Sequence, residues 1–423
     1  MQAYVLTTQN LEERHTGENL EKELKRVVAE WELESDRVSA CVHDNKANIV
    51  KANQACEWES VCCFAHTLQL AIQDGFKAVP ILERVVGASS KLVAHFHHST
   101  IATQALRAKQ KQMFPDREHA LIQCCKTRWN SIYNMFARLL EQRWAITAVL
   151  SDRSVTKPGD ARNLELRDDY WRMMEEIEPV LKALEVATTA SCAEEVVSLS
   201  DVYPVVCGLM KEHLQATSRS DGRIRTFVNT VRDSLAKRFL PFDIETASTP
   251  AVVAAVLDPQ HKKLRFLSPE VRVAAKAHMV EIFEAEKDKA RARPDEEEEE
   301  RQGEDREPDA KKGKKTENSA MAFLFGASYC AEEDEEDTES ELEQYLSDPA
   351  IPLQTDPLVW WRAHELQYPI MSRLARKFLS IPATSVSSKR LFSAAGQVVS
   401  KLRSRLLPDN VNTLIFLNKN LPR

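Results

Sequence analysis

Residues Trp360–Asn420 read WWRAHELQYPIMSRLARKFLSIPATSVSSKRLFSAAGQVVSKLRSRLLPDNVNTLIFLNKN. Trp360, Trp361, Leu366, Ile370, Leu374 and Phe378 follow at spacings of 1, 5, 4, 4 and 4, an apolar stripe about one helix face wide. Asp356-Pro357 just upstream suits a helix start, because a first-turn proline lacks only an N–H that has no helical partner. The stripe therefore predicts one helix from Asp356 to Phe378. Ile381-Pro382-Ala383-Thr384 breaks it, and Ser385 or a neighbour caps a next helix carrying Val386, Arg390, Leu391 and Phe392. Pro408-Asp409 opens a last helix with Val411, Leu414, Ile415 and Leu417. Two apolar faces on so short a module leave surplus surface, and aromatic-rich apolar patches mark interfaces. The competing reading consumes both faces in a core.

Upstream of this module the composition changes. Residues 294–348 hold 21 Asp and Glu against 6 Lys and Arg, net −15, while the whole chain of 423 residues carries −7. The remainder is thus a mildly basic body of +8. The acidic stretch is punctuated by prolines and is expected to be disordered, apart from one apolar island, Met321–Phe325. From Thr67 to about Ala290 helical spacing recurs, as in Leu68–Phe76, Ile81–Phe96, Ser131–Leu150, Trp171–Thr189 and Ile224–Phe239. The first 75 residues look α/β. Tyr4–Thr8 is strand-like, Asn19–Glu34 is an amphipathic helix, and Arg37–His43 is a buried strand followed at once by Asp44 and a helix through Gln54. So few strands cannot close a core, and Met1 lies close to the first of them, so an N-terminal portion of the fold is expected to be missing. Nine scattered cysteines without an export signal read as free thiols. No run approaches the ~20 apolar residues of a membrane span, and no membrane partner is expected.

The C-terminal run closely resembles the dimerisation region of hAT-family transposases. The matching positions are Trp360-Trp361, Tyr368-Pro369, Leu374-Ala375, Ile381–Ser385, Ser388–Gly396, Arg403–Leu406 and Leu414–Asn418. Other stretches agree: Asp44-Asn45 with Asn48, Cys63-Phe64-Ala65-His66, Thr127-Arg128-Trp129-Asn130-Ser131, and Leu257-Asp258-Pro259 with Lys262 and Leu264. His95, His97 and His98 lie in a block similar to that of BED-finger relatives. The resemblance implies a partial ribonuclease-H-like α/β fold, interrupted by a large all-α insertion and closed by C-terminal helices. The implied division is 1–75 partial ribonuclease-H-like segment, 76–290 helical insertion, 291–350 acidic linker and 351–423 dimerisation region.

The family's chemistry is two-metal phosphoryl transfer, which needs three carboxylates because hard divalent cations want anionic oxygens. By resemblance Asp44 is the second carboxylate. Lys389 stands where the third, a glutamate, belongs, and an ammonium repels a metal. The first is expected to be absent. No catalysis, metal or cofactor is therefore expected, and Asp44 is read as capping the next helix. Cys63 and His66 have zinc-like spacing but no second ligand pair, since four ligands make a structural zinc. A packed thiol and a backbone-bonded imidazole are the alternative. Arg128 and Trp129 are candidates for phosphate pairing and base stacking, or else Trp129 packs in a core. Lys401, Arg403 and Arg405, and the run His261-Lys262-Lys263, are candidates for phosphate contact or simply a solvated face. Trp360, Trp361, Tyr368, Leu374, Phe392, Leu414, Ile415 and Leu417 are the candidate dimerisation residues. The resulting expectation is a catalytically inactive, domesticated nuclear protein that forms a homodimer. DNA and chromatin or transcription proteins are its further expected partners. An active transposase and a transposon-derived fragment without activity are the alternatives.

Overall fold

The computed structural model describes residues 3–9, 11, 13–34, 37–113, 118–125, 129–193, 196–215, 221–292, 340–398 and 406–421. These residues are mostly helical, with two short strands. Helix α1 (Gly17–Glu30) starts where the Thr16 hydroxyl accepts from the Asn19 N–H. Strand β1 (Cys41–His43), helix α2 (Ala47–Ala55) and strand β2 (Ser60–Cys62) follow. The two strands pair in parallel, Val42 opposite Val61. Helix α3 (Phe64–Ala78) leaves the end of β2, and α4 (Pro80–His98) and α5 (Thr100–Met113) continue the chain. Then come α6 (Asn130–Glu141), α7 (Arg143–Ser151), α8 (Pro158–Leu164) and the long α9 (Asp168–Ser191). Helix α10 (Val202–Gly208) runs into one π turn, and α11 (Gly222–Phe239) is capped by Asp221. Helices α12 (Pro250–Leu257) and α13 (Pro269–Ala292) complete this body.

One apolar cluster runs from Val61 in β2 through the helices that follow to Ala383. Its spine is α3 against α11, which approach so closely at Gly75 that an added Cβ would lie 2.6 Å from the Val231 side chain. Helix α12 is apolar all round and buried from Val252 to Leu257, as a helix wrapped on every side must be. Of the C-terminal helices α14 (Glu341–Ser347), α15 (Pro357–His364) and α16 (Pro369–Leu379), α16 packs on α12 and α13, α14 and α15 pack on α16, and all three join the same core. Helices α17 (Val386–Val398) and α18 (Pro408–Asn420) pack on each other.

Several expectations are corrected. Among the described residues Tyr4–Thr8 pairs with no strand: Val5 N–H donates to Asn420 Oδ1 at 2.9 Å and Asn420 Nδ2 donates back to Val5 O at 2.7 Å. Thr8 N–H donates likewise to Asn412 Oδ1 at 2.7 Å, so two side chains of α18 take the place of a neighbouring strand. The strand expected over Arg37–His43 is confined to its last three residues. The helix expected over Ser131–Leu150 breaks at Gln142, and that over Asp356–Phe378 stops at His364 and resumes at Pro369. The second break has a clear cause, since Pro369 pushes Tyr368 out of helical geometry to φ −126° and ψ 66°. Residues 340–350, read as the end of the acidic linker, instead contain α14, whose Ser340 and Glu343 form a reciprocal capping box and whose Tyr345 is fully buried. Residues 293–339, with the Met321–Phe325 island, lie outside the described residues.

Candidate functional site

The parallel strands deliver their carboxyl ends to one place. His43, the last residue of β1, is buried, with Nδ1 2.7 Å from Asp44 O and Nε2 2.8 Å from Ser60 Oγ. Its carbonyl accepts from Cys63 N–H at 2.8 Å, which fixes where α3 departs. The Ile381–Ser385 turn closes over the same spot. Phe64 N–H donates to Ala383 O at 2.9 Å, Ala383 N–H donates to Ser198 Oγ at 3.0 Å, and Ser385 N–H donates to Cys63 Sγ at 3.3 Å. Two sequence motifs more than 300 residues apart therefore form one joint. Cys63 is fully buried and accepts this bond, the behaviour of a packed thiol.

Asp44 sits at the mouth of this joint, its carboxylate 3.4 Å from Lys46 Nζ. It does not cap α2: the N-cap residue is Lys46 and no side chain bonds there. Asn45 Nδ2 donates to Thr67 Oγ1 at 3.3 Å, tying the turn to α3. His66 makes no hydrogen bond among the described residues, contrary to the backbone bond expected of it. Burial, then the charge of Lys389, hold its imidazole below the usual range, with Lys46 and Arg238 acting the same way and Asp44 opposing. Lys389 itself is exposed on the first turn of α17. Among the described residues no three His, Cys, Asp or Glu side chains come together as a metal site.

A second constellation joins the body to the C-terminal helices. Asp258 is buried and accepts from Ser200 Oγ at 2.7 Å and from Gln260 N–H at 2.9 Å, which shapes the turn after α12. His261 Nε2 pairs with Asp201 at 2.8 Å; burial lowers its pKa, but Asp201 and Asp258 outweigh that and raise it overall. The next two side chains turn inward. Lys262 Nζ donates to Tyr345 O and Lys263 Nζ to Leu346 O, both at 2.6 Å, so the two side chains cap the last carbonyls of α14. Tyr345 OH donates to Val256 O at 3.0 Å and Trp361 Nε1 to Leu257 O at 2.8 Å. At its other end α14 offers Glu341, whose carboxylate accepts from the Ile370 and Met371 N–H groups at the start of α16. Tyr368 OH bonds Asp348 at 2.8 Å, and burial followed by that contact pushes its pKa up to about 12.

This geometry sorts the candidate residues. Trp361, Tyr368, Leu374 and Ile415 are buried within the chain and so pack against it, and Trp360 is half-buried beside Trp361. Phe392, Leu414 and Leu417 are exposed at 61%, 44% and 42% and form the accessible part of the set. Trp129 is 6% exposed on the core side of α6, so its ring cannot stack on a base. Lys262 and Lys263 face α14, not a phosphate. Arg128, Lys401, Arg403 and Arg405 lie outside the described residues. The sequence reading missed Glu341 and Tyr345, although Ser340-Glu341-Leu342-Glu343 is a capping-box signature within the acidic stretch.

Comparison with known proteins gives these features a setting. Residues 341–421 match the hAT family C-terminal dimerisation region, and residues 61–180 match the ZBED1 RNase-like helical domain. The chain is 25% identical over 417 residues to zinc finger BED domain-containing protein 4 of Homo sapiens, covering 96% of this chain and 33% of the relative. It is 23% identical over 434 residues to the putative AC transposase of Zea mays, covering 96% and 51%. To zinc finger BED domain-containing protein 6 of Homo sapiens it is 26% identical over 435 residues, covering 95% and 42%. The chain thus spans between a third and a half of the length of these curated relatives. It is hAT-transposase-like over most of its length, and its C-terminal part matches that family's dimerisation region.

Proposed function

We propose that this chain is a catalytically inactive, domesticated hAT-transposase-like protein that acts in the nucleus through self-association and contact with DNA or chromatin proteins in transcription regulation. The observation that carries the reading is the charge around Asp44. Lys46 lies 3.4 Å from its carboxylate, and Lys389, whose charge reaches His66, occupies the glutamate position of the related motif. Two divalent cations about 4 Å apart need several anionic oxygens, and here the carboxylate of Asp44 has an ammonium beside it instead. The same positive field suits phosphate. The parallel pair β1–β2, with Asp44 directly after β1, supports reading residues 1–75 as ribonuclease-H-like, followed by a helical insertion at 76–290; α14 and the match over 341–421 support starting the dimerisation region at 341 instead of 351.

The competing reading, an active transposase, draws on the relatives named as AC transposases. Purified protein with plasmid DNA and Mg²⁺ or Mn²⁺ separates the two. No nicking or joining above a metal-free control is expected. Metal-dependent nicking that disappears in Asp44→Ala would overturn the inactive reading.

A further inference from the structure

Lys262 is the only buried lysine or arginine among the described residues, at 1% exposure. Its ammonium lies 4.3 Å from the Tyr345 ring centroid and 5.8 Å from that of Trp360, and it donates to Tyr345 O. No carboxylate forms an ion pair with it among the described residues. A buried cation held only by a carbonyl and two ring faces is poorly compensated, because ring faces and one dipole replace only part of its hydration. The site is also a junction. The body reaches Lys262 through the Asp258 turn, α14 ends on it, and α14 in turn starts α16 through Glu341.

We propose that Lys262 is a proton-operated latch between the body and the dimerisation region, closed tightly when its amine is neutral and loosened when it is protonated. This rests on the assignment of the region but concerns its attachment to its own chain, so the test below does not read oligomeric state. The groups facing the amine support the direction. On its own turn are Lys263, which disfavours the charge, and Asp258 and His261, which are occupied with Ser200 and Asp201. Beyond α14 is Asp348, which favours the charge but is shared with Tyr368 OH. The Tyr345 hydroxyl is held by Val256 O and burial keeps it protonated, and His364 of α15 stacks on Trp360, its Nδ1 2.7 Å from Trp360 O. Burial outweighs Asp348 and brings the folded amine down to about 8 from 10.5.

The sign follows. Between about pH 8 and 10.5 the open or unfolded form binds more protons than the closed form, so the closed form gains as pH rises. The test is urea unfolding of the intact chain from pH 7 to 9.5, with K262M, K262R and K263M beside wild type. Cleavage within 341–350 under limited proteolysis is followed in parallel. Relative to K262M, the wild-type midpoint should rise above pH 8 and stay level below it, and its cleavage rate should fall about ten-fold, the factor that one pKa unit carries. K262R, charged throughout, should fall progressively behind wild type above pH 8, and K263M should keep the wild-type rise. A wild-type-to-K262M difference that is equal at pH 7 and pH 9.5 overturns the latch. Should K262M not fold, parallel wild-type and K262R curves overturn it equally.

Discussion

Trp129 and Lys262 were both candidates for touching nucleic acid, and both turn inward. The residue types were legible, since Trp after Arg and paired lysines are what a phosphate-rich ligand would need. Orientation was not, because it depends on which side of a turn faces the core. Trp129 precedes α6 with its ring on the apolar side, and Lys262 follows a turn that Asp258 and Ser200 hold. The consequence for Trp129 is direct. Trp129→Phe should leave affinity for duplex DNA unchanged within about two-fold in a fluorescence anisotropy titration, since a ring only 6% exposed has almost no surface contact to lose. Trp129→Ala should cost about 3–5 kcal/mol of unfolding free energy by urea titration. A large loss of DNA affinity in the folded Phe variant would place the ring at an interface after all.

At the scale of elements, helices with clear periodicity were legible and the exceptions have local causes. β2 has three residues with Val61 alone buried, too short to show alternation. The break at Gln142 has neither glycine nor proline to announce it, whereas the break at Pro369 could have been read. The close approach of α3 and α11 at Gly75 was invisible, because it depends on the partner helix. Gly75→Ala would gain roughly 1 kcal/mol of helix propensity. It would also drive a methyl group against Val231 and Phe227, and overpacking a core costs about 1–3 kcal/mol, with a rigid buried neighbour toward the upper end. The expected outcome is net destabilisation of about 1–2 kcal/mol by urea titration, and Gly75→Ala with Val231→Ala should recover part of it.

Helix α11 also carries an acid-sensitive cap. Asp221 accepts from the Arg223 side chain and N–H, in that order of effect, and its pKa falls from 3.8 to about 2. A depressed carboxylate stabilises the fold above its unfolded pKa, and that contribution is lost as pH falls from about 4 towards 2. Asp221→Asn keeps a capping oxygen but not the ion. Its deficit against wild type should therefore be measurable by thermal unfolding at pH 7 and shrink steadily as pH falls from about 4 to 2. A deficit unchanged across that range would mean that the charge contributes nothing.

For the whole molecule, the helical body and the C-terminal module were legible from composition and motif order. What the sequence could not apportion was the use of the module's two apolar faces. The structure gives most of the first to the core through Trp361, Tyr368 and Leu374. The exposed remainder, Phe392 on α17 with Leu414 and Leu417 on α18, is what a second copy can reach. Light scattering at micromolar concentration should give a dimer for the intact chain. The combination Phe392→Glu, Leu414→Glu and Leu417→Glu should give a monomer with its thermal midpoint unchanged. A dimer that persists in that variant would move the interface elsewhere.

The grip of Asn420 on Val5 has a kinetic meaning. It brings together positions 415 apart in sequence, and closing a loop of that length from a fully unfolded chain carries an entropy cost of about 5 kcal/mol. Three hydrogen bonds and the Trp31–Phe416 stack are too little to drive such a closure. They can form only after the body has drawn the two segments together, so this contact is among the last made in folding and among the first to open. Residues 3–9 therefore serve as a built-in reporter: whatever draws α18 away, a second copy included, releases them as well.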